Sequence, residues 1–252
     1  MPVVKVGNIN MYYEVHGEGE PLVLIHGAGL ETSTVWHLIQ MFTHKYKVVS
    51  IDNRGVGRSD KPDEPYTIEI MAEDTVGLLN IIGIKKAHFI GSSMGGRIAQ
   101  VIAVKYPEMV KGLILTSTAA RVSPSMKTEL EIALKTPELW EELLKESAMI
   151  FTQTYPPTRE SFYRQFVATV EFDGKDQLSK IKAPTLIING SKDHTIPIGC
   201  TEELVKEVPD SKLILVEGDH LFAAMNIELL VKPALEFFEE VDAIVFKSLR
   251  IN

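Results

Sequence analysis

Cysteine is almost missing from this chain: Cys200 stands alone in 252 residues. No disulfide can close within it, and a reducing compartment is permitted. Long apolar runs are missing too, and no stretch approaches the length needed to cross a bilayer. The opening Met1-Pro2-Val3-Val4-Lys5-Val6-Gly7 has neither the basic region nor the apolar run of a signal peptide. The expectation is a cytoplasmic protein with no membrane partner. Basic charge is in deficit, with 26 Lys and Arg against 34 Asp and Glu and a net charge of -8. Without a basic stripe to neutralise phosphates, a nucleic-acid partner is disfavoured. There is no His-Glu-x-x-His, no cysteine pair and no Gly-Lys-Ser/Thr loop, so neither metal nor cofactor is expected. No repeat or low-complexity segment interrupts an ordinary globular composition that is 45% hydrophobic.

What is present is a rhythm. Val3 to Val6 and Ile9 to Val15 alternate around Gly7-Asn8, which predicts an opening hairpin. Pro21 to Ile25, Tyr46 to Ile51, Ala87 to Ile90, Val110 to Thr116, Pro184 to Ile188 and Ser211 to Val216 are short apolar runs. Helical spacing follows in Thr32 to Phe42, Thr67 to Ile82, Ile98 to Lys105, about Gly199 to Val208 and about Asn226 to Glu240. Strand, turn and helix in alternation predict an α/β fold, a mostly parallel sheet with helices on both faces. Between Ala119 and Lys180 the rhythm stops, and the segment is helical and rich in large apolar side chains such as Trp140. A helical block inserted between two parallel strands belongs at their carboxyl edge. The reading is therefore a core of residues 1–118 and 181–252 with a cap of residues 119–180, some of whose side chains line an apolar pocket.

Gly91-x-Ser93-x-Gly95 lies between the Ala87 to Ile90 strand and the helix after it. A turn that sharp strains the serine backbone, and a side chain at either flanking position would collide with its neighbours. The Ser93 hydroxyl then projects above a helix N-terminus, where free amides favour developing negative charge. A serine at neutral pH needs a base, and that base needs an acid to hold its tautomer. Of seven histidines, only His220 lies just past the final strand, where a sheet delivers side chains to its carboxyl edge. Asp193 lies in the turn that directly follows the apolar run beginning at Pro184, at the same edge as Ser93 and His220. Asp219 competes for the role of acid, but a residue adjacent to the base cannot easily turn back onto its ring. The amides of Ala28, in His26-Gly27-Ala28-Gly29, and of Met94 are the candidate oxyanion donors. Leu30, Trp36, Leu221 and Phe222 sit next to these groups in sequence and, with Trp140, are candidates for the substrate pocket.

These residues carry a resemblance. His26-Gly27-x-Gly29, Asp52-x-Arg54-Gly55-x-Gly57-x-Ser59, Gly91-x-Ser93-x-Gly95-Gly96, Gly190-x-x-Asp193-x-x-x-Pro197 and Gly218-Asp219-His220 resemble the α/β-hydrolase superfamily. The likeness is to its small capped serine hydrolases: carboxylesterases, enol-lactonases and cofactor-free haloperoxidases. It implies Ser93 as nucleophile, Asp193 as orienting acid and His220 as base, acting on a small-molecule ester, with lactone opening, carbon–carbon bond hydrolysis and perhydrolysis as alternatives that use the same machinery. Serine rather than aspartate at position 93 argues against the epoxide hydrolase and haloalkane dehalogenase branches. Asp219 departs from the pattern, since relatives commonly carry glycine there. The Asp52 to Ser59 stretch is a structural hallmark and receives no catalytic role.

Two other classes compete. Gly27-x-Gly29-x-x-Thr32 between strand and helix, with Asp52 closing the next strand, comes close to a dinucleotide-binding pattern. Its third position is threonine rather than glycine or alanine, and the reading leaves Ser93, Asp193 and His220 unexplained. A receptor that keeps the three residues but scarcely turns over is the other; multiple turnover on aryl esters separates it from an esterase.

Overall fold

A computed structural model describes residues 2–249, with side chains through residue 244. Residue 1 and residues 250–252, at the ends of the expected core, lie outside the described residues. Among the described residues no helix is long and apolar enough to cross a membrane.

The apolar runs form one sheet of eight strands in the order β1-β2-β4-β3-β5-β6-β7-β8. They are β1 (Val3–Val6), β2 (Ile9–His16), β3 (Glu20–Ile25), β4 (Tyr46–Ile51), β5 (Ala87–Ser92), β6 (Val110–Thr116), β7 (Thr185–Gly190) and β8 (Ser211–Val216). β2 pairs antiparallel with β1 and β4, and every other pairing is parallel. The inner strands read as continuous apolar runs because both of their faces are covered. Helices α2 (Ile68–Ile81) and α3 (Met94–Lys105) pack on one face. Helices α1 (Trp36–Phe42) and α9 (Glu228–Leu249) pack on the other. Thr67 caps α2 by accepting the Ile70 amide at 3.1 Å, leaving the apolar stripe of Met71, Val76, Leu78 and Leu79 buried.

β3 lies between β4 and β5, so successive crossovers leave it in opposite directions. This is a topological switch point, and a crevice opens beyond the carboxyl ends of β3 and β5. The loops after those strands carry Gly27 to Glu31 and Ser93.

Between β6 and β7 the chain leaves the sheet for α4 (Pro124–Lys135), α5 (Pro137–Glu146) and α6 (Arg159–Glu171). Prolines open α4 and α5, and a capping box of Thr158 and Ser161 opens α6. The two ends of this excursion meet at a bridge between Arg121 and Asp173.

The C-terminal part differs from its sequence reading. After β7 comes α7 (Ile198–Glu207). After β8 a one-turn helix, α8 (Phe222–Met225), precedes α9, and α9 runs to Leu249, well past Glu240, with Pro233 inside it. The apolar series Leu230, Val231, Ala234, Phe237, Phe238 and Val241 is buried against the sheet. Tertiary packing of that stripe sustains the helix across a residue that removes one backbone donor. After β3, Thr32–Val35 is a tighter 3₁₀ turn ahead of α1, held by the Glu31 carboxylate accepting the Ser33 amide at 2.7 Å.

Candidate active site

β5 ends at Ser92 and α3 begins at Met94, so Ser93 makes the whole turn, with φ 52° and ψ -117°. That conformation costs a non-glycine residue about 1–3 kcal/mol and persists only where its surroundings enforce it. Here the Ser93 amide donates to Thr116 O at 3.0 Å and its carbonyl accepts Thr118 Oγ1 at 2.7 Å. A Cβ at Gly91 would lie 2.5 Å from Gly95 O, and one at Gly95 would overlap the Ile25 carbonyl. The motif's glycines are therefore demanded by the approach of strand, turn and helix.

The turns after β7 and β8 are tied by backbone hydrogen bonds, Ser191 N to Val216 O and Lys192 N to Gly218 O, both 2.8 Å. That tie sets Asp193 beside His220. Asp193 Oδ2 lies 2.9 Å from His220 Nδ1, and His220 Nε2 lies 3.2 Å from Ser93 Oγ. The other carboxylate oxygen of Asp193 accepts the amides of Thr195 at 2.9 Å and Ile196 at 2.7 Å. Its side chain is fully buried, whereas His220 is 22% exposed. The competing Asp219 is exposed and accepts the Leu221 amide at 2.8 Å. It closes a local turn instead of backing the imidazole.

The loop after β3 passes beside the elbow: a Cβ at Gly27 would lie 3.3 Å from Ser93 Cβ. Neither the Ala28 nor the Met94 amide donates to an acceptor among the described residues. Beneath the loop, His26 Nε2 lies 2.7 Å from Ser50 Oγ. Complete burial pulls the His26 imidazole down to about 4, against the opposing charge of Asp52, so it is neutral near pH 7. Asp52 accepts the Thr32 amide at 2.7 Å and the Arg58 amide at 2.9 Å. Arg54 grips Asp74 in a fork of 2.5 and 2.8 Å. The Asp52 to Ser59 turn thus braces the loop.

A cavity of about 430 Å³ opens against Gly27 and His220, walled by Leu30, Leu38, Leu221 and Ala224. Its walls come from β3, β5, α1, α8 and the start of α9, and no residue of the 119–180 segment lines it. Three pocket expectations fall elsewhere. Trp36 turns edge-on to His16 with ring centroids 4.8 Å apart. Trp140 packs among Phe162, Tyr163 and Phe166 of α6, its ring centroid 5.1–6.1 Å from theirs. Phe222 is 1% exposed and belongs to the core against α9. Nearness in sequence to a site residue does not set the direction of a side chain: the first turn of α8 aims Phe222 inward. Sequence reading also missed Gln153 and Gln165, which reach the loop after β3 from the inserted segment.

Residues 20–148 match the family model described as alpha/beta hydrolase fold. A protein named carbamate hydrolase RutD from Azorhizobium caulinodans is 26% identical over 96% of this chain and 100% of its own length. The 3-oxoadipate enol-lactonase 2 of Acinetobacter baylyi is 27% identical over 85% of this chain and 87% of its own. Among solved structures, a thermophilic esterase from Thermogutta terrifontis superposes with a TM-score of 0.83 at 26% identity, covering 96% of this chain and 99% of that one. The motif order, the sheet with its switch point and the family match agree: the chain belongs to the alpha/beta hydrolase fold family and is a hydrolase.

Proposed function

We propose that the chain is a serine hydrolase that cleaves small to medium apolar carboxylic esters through an acyl-enzyme. The observation that carries this reading is the relay Ser93 Oγ, His220 Nε2, His220 Nδ1, Asp193 Oδ2, with contacts of 3.2 and 2.9 Å. Ser93 Oγ attacks the ester carbonyl carbon while His220 Nε2 takes its proton. Asp193 holds the Nδ1–H tautomer and stabilises the imidazolium. The carbonyl oxygen becomes an oxyanion that accepts from the Ala28 and Met94 amides, each donor worth about 3 kcal/mol. As the tetrahedral adduct collapses, the bond to the leaving alkoxide breaks and Nε2–H protonates it. Water then gives its proton to Nε2, attacks the acyl carbon, and the acid departs as Ser93 regains its proton.

The apolar cavity beside His220 supports an apolar substrate, since its volume falls in the range of small-molecule sites. Residues 119–180 act as the cap, held on the core by Ser161 and Gln165. The relative named as an enol-lactonase supports a second substrate, an enol-lactone, which opens by the same attack. Activity on p-nitrophenyl esters of rising chain length, run beside an enol-lactone, tests the reading. Ser93→Ala is expected to lower kcat by at least about 10⁴-fold; near-normal turnover by that variant would reject it.

A further inference from the structure

The geometry points to Gln153 and Gln165 as positioning residues for the oxyanion site, reaching it from the inserted segment. This inference rests on the proposed role of the Ala28 amide. The Ala28–Gly29 peptide is held through its N–H, which donates to Gln165 Oε1 at 2.7 Å. The next peptide is held through Gly29 O, which accepts Gln153 Nε2 at 2.7 Å. Gln153 Oε1 also accepts the Glu31 amide at 3.2 Å. Leu30 N closes the turn onto Gly27 O at 3.3 Å. Both peptides after Ala28 are therefore fixed by side chains lying more than a hundred residues on in sequence.

The loop needs such clamps. Gly29 has φ 74°, and a Cβ there would strike Ile150 and Phe162 of the inserted segment. Glycine suits this close approach, but it also leaves the flanking peptides free to rotate. The Ala28 N–H belongs to the peptide just before, whose Cα28 end these clamps hold; drift of the 28–29 peptide would shift Cα28 and carry that N–H away from the place where an oxyanion forms. An electrostatic contribution of this kind depends on the donor being aimed before charge develops.

The clamps are themselves anchored. Gln165 is fully buried and its amide nitrogen donates to Arg54 O at 2.7 Å. Ser161, on the same helix, donates to Gly55 O at 2.6 Å, and Arg97 of α3 donates to Thr169 O at 2.8 Å. A primary amide is the group that fits position 165, because one end must accept from Gly29 N–H while the other donates to Arg54 C=O. A protonated carboxyl offers the same pair of functions; a carboxylate or an alkyl group does not.

The experiment compares Gln165→Leu, Gln165→Glu and Gln153→Ala with the parent enzyme. It uses a p-nitrophenyl ester and counts active sites by phosphonate titration, so that loss of folded protein drops out. Gln165→Leu and Gln153→Ala are each expected to lower kcat per titrated site by about 10–100-fold with KM within about twofold. Affinity for a boronic acid, whose tetrahedral adduct places an oxygen in the oxyanion site, is expected to fall by a matching factor. Gln165→Glu is expected to regain kcat toward acidic pH relative to the parent profile, as its buried carboxyl takes up a proton. Gln153 is only half-buried, so its variant carries the test should Gln165→Leu fail to fold. Unchanged kcat in the folded variants, or a rise in KM alone, would overturn the inference. If Ser93→Ala kept its activity, the underlying serine reading would fall instead, so the two failures are told apart.

Discussion

The Asp193–His220 pair and the Gly27 to Glu31 loop, proposed to carry an oxyanion donor, are built by opposite means. Asp193 and His220 stand on turns that leave neighbouring strands, and backbone hydrogen bonds between those turns set their spacing. Asp193 even fixes its own carboxylate on the amides of Thr195 and Ile196. The Gly27 to Glu31 loop has no such local frame. It depends on Asp52 from below and on Gln153 and Gln165 from the inserted segment. A proton relay between side chains tolerates a hinge-free local scaffold. A backbone donor has to be aimed, and for the proposed donor Ala28 the aiming comes from afar.

That contrast can be broken most severely at the acid. Asp193→Asn leaves an amide whose NH₂ favours the wrong imidazole tautomer, and kcat is expected to drop by about 10⁴-fold; steady-state kinetics of the purified variant give the number. A smaller, intermediate loss at Gln153 or Gln165 would rank the borrowed side below the local one. Losses there equal to that of Asp193→Asn would erase the difference.

Acid should also act on the two sides unequally. His26, under the oxyanion loop, has a folded-state pKa pulled down to about 4 by burial. The unfolded chain binds its proton below about pH 6.5, whereas the folded chain stays neutral until about pH 4. Stability is therefore full above pH 6.5 and is lost progressively as pH falls from there to 4. That lowering corresponds to about 3 kcal/mol at the acid end. Buried His88 is likewise held below its ordinary value, chiefly by desolvation, and adds to the loss in the same direction. Urea unfolding at pH 7.5, 5.5 and 4.5 is expected to show the midpoint moving down, and less so in a His26→Asn variant that still folds. A midpoint independent of pH would contradict this. Smallest of all, Asp219→Asn is expected to keep kcat within about twofold, since that carboxylate serves its own turn.

Legibility in the sequence follows the same division. The strands and the elbow could be read because their causes are local: apolar runs buried on both faces, and a turn whose glycines leave no room for a Cβ. The meeting of Ser93, Asp193 and His220 could be read because each follows a strand at the same edge. Gln153 and Gln165 could not. Gln165 in an amphipathic helix looks like part of a solvated face, Gln153 lies in a bend outside any helix, and nothing local reveals a partner across the fold. Trp36, Trp140 and Phe222 lie outside the walls of the cavity beside His220 for the related reason that size and proximity carry no direction. Helical spacing in the sequence carries the closing helix through Pro233 to about Glu240 and misses its continuation to Leu249.

The central claim is that the hydroxyl of Ser93 is the nucleophile driven by His220. Intact and peptide mass spectrometry after exposure to a p-nitrophenyl phosphonate measures it directly. The account predicts one covalent adduct, confined to the peptide holding Ser93, formed far more slowly in His220→Ala. An unmodified chain, or an adduct on any other residue, would contradict it.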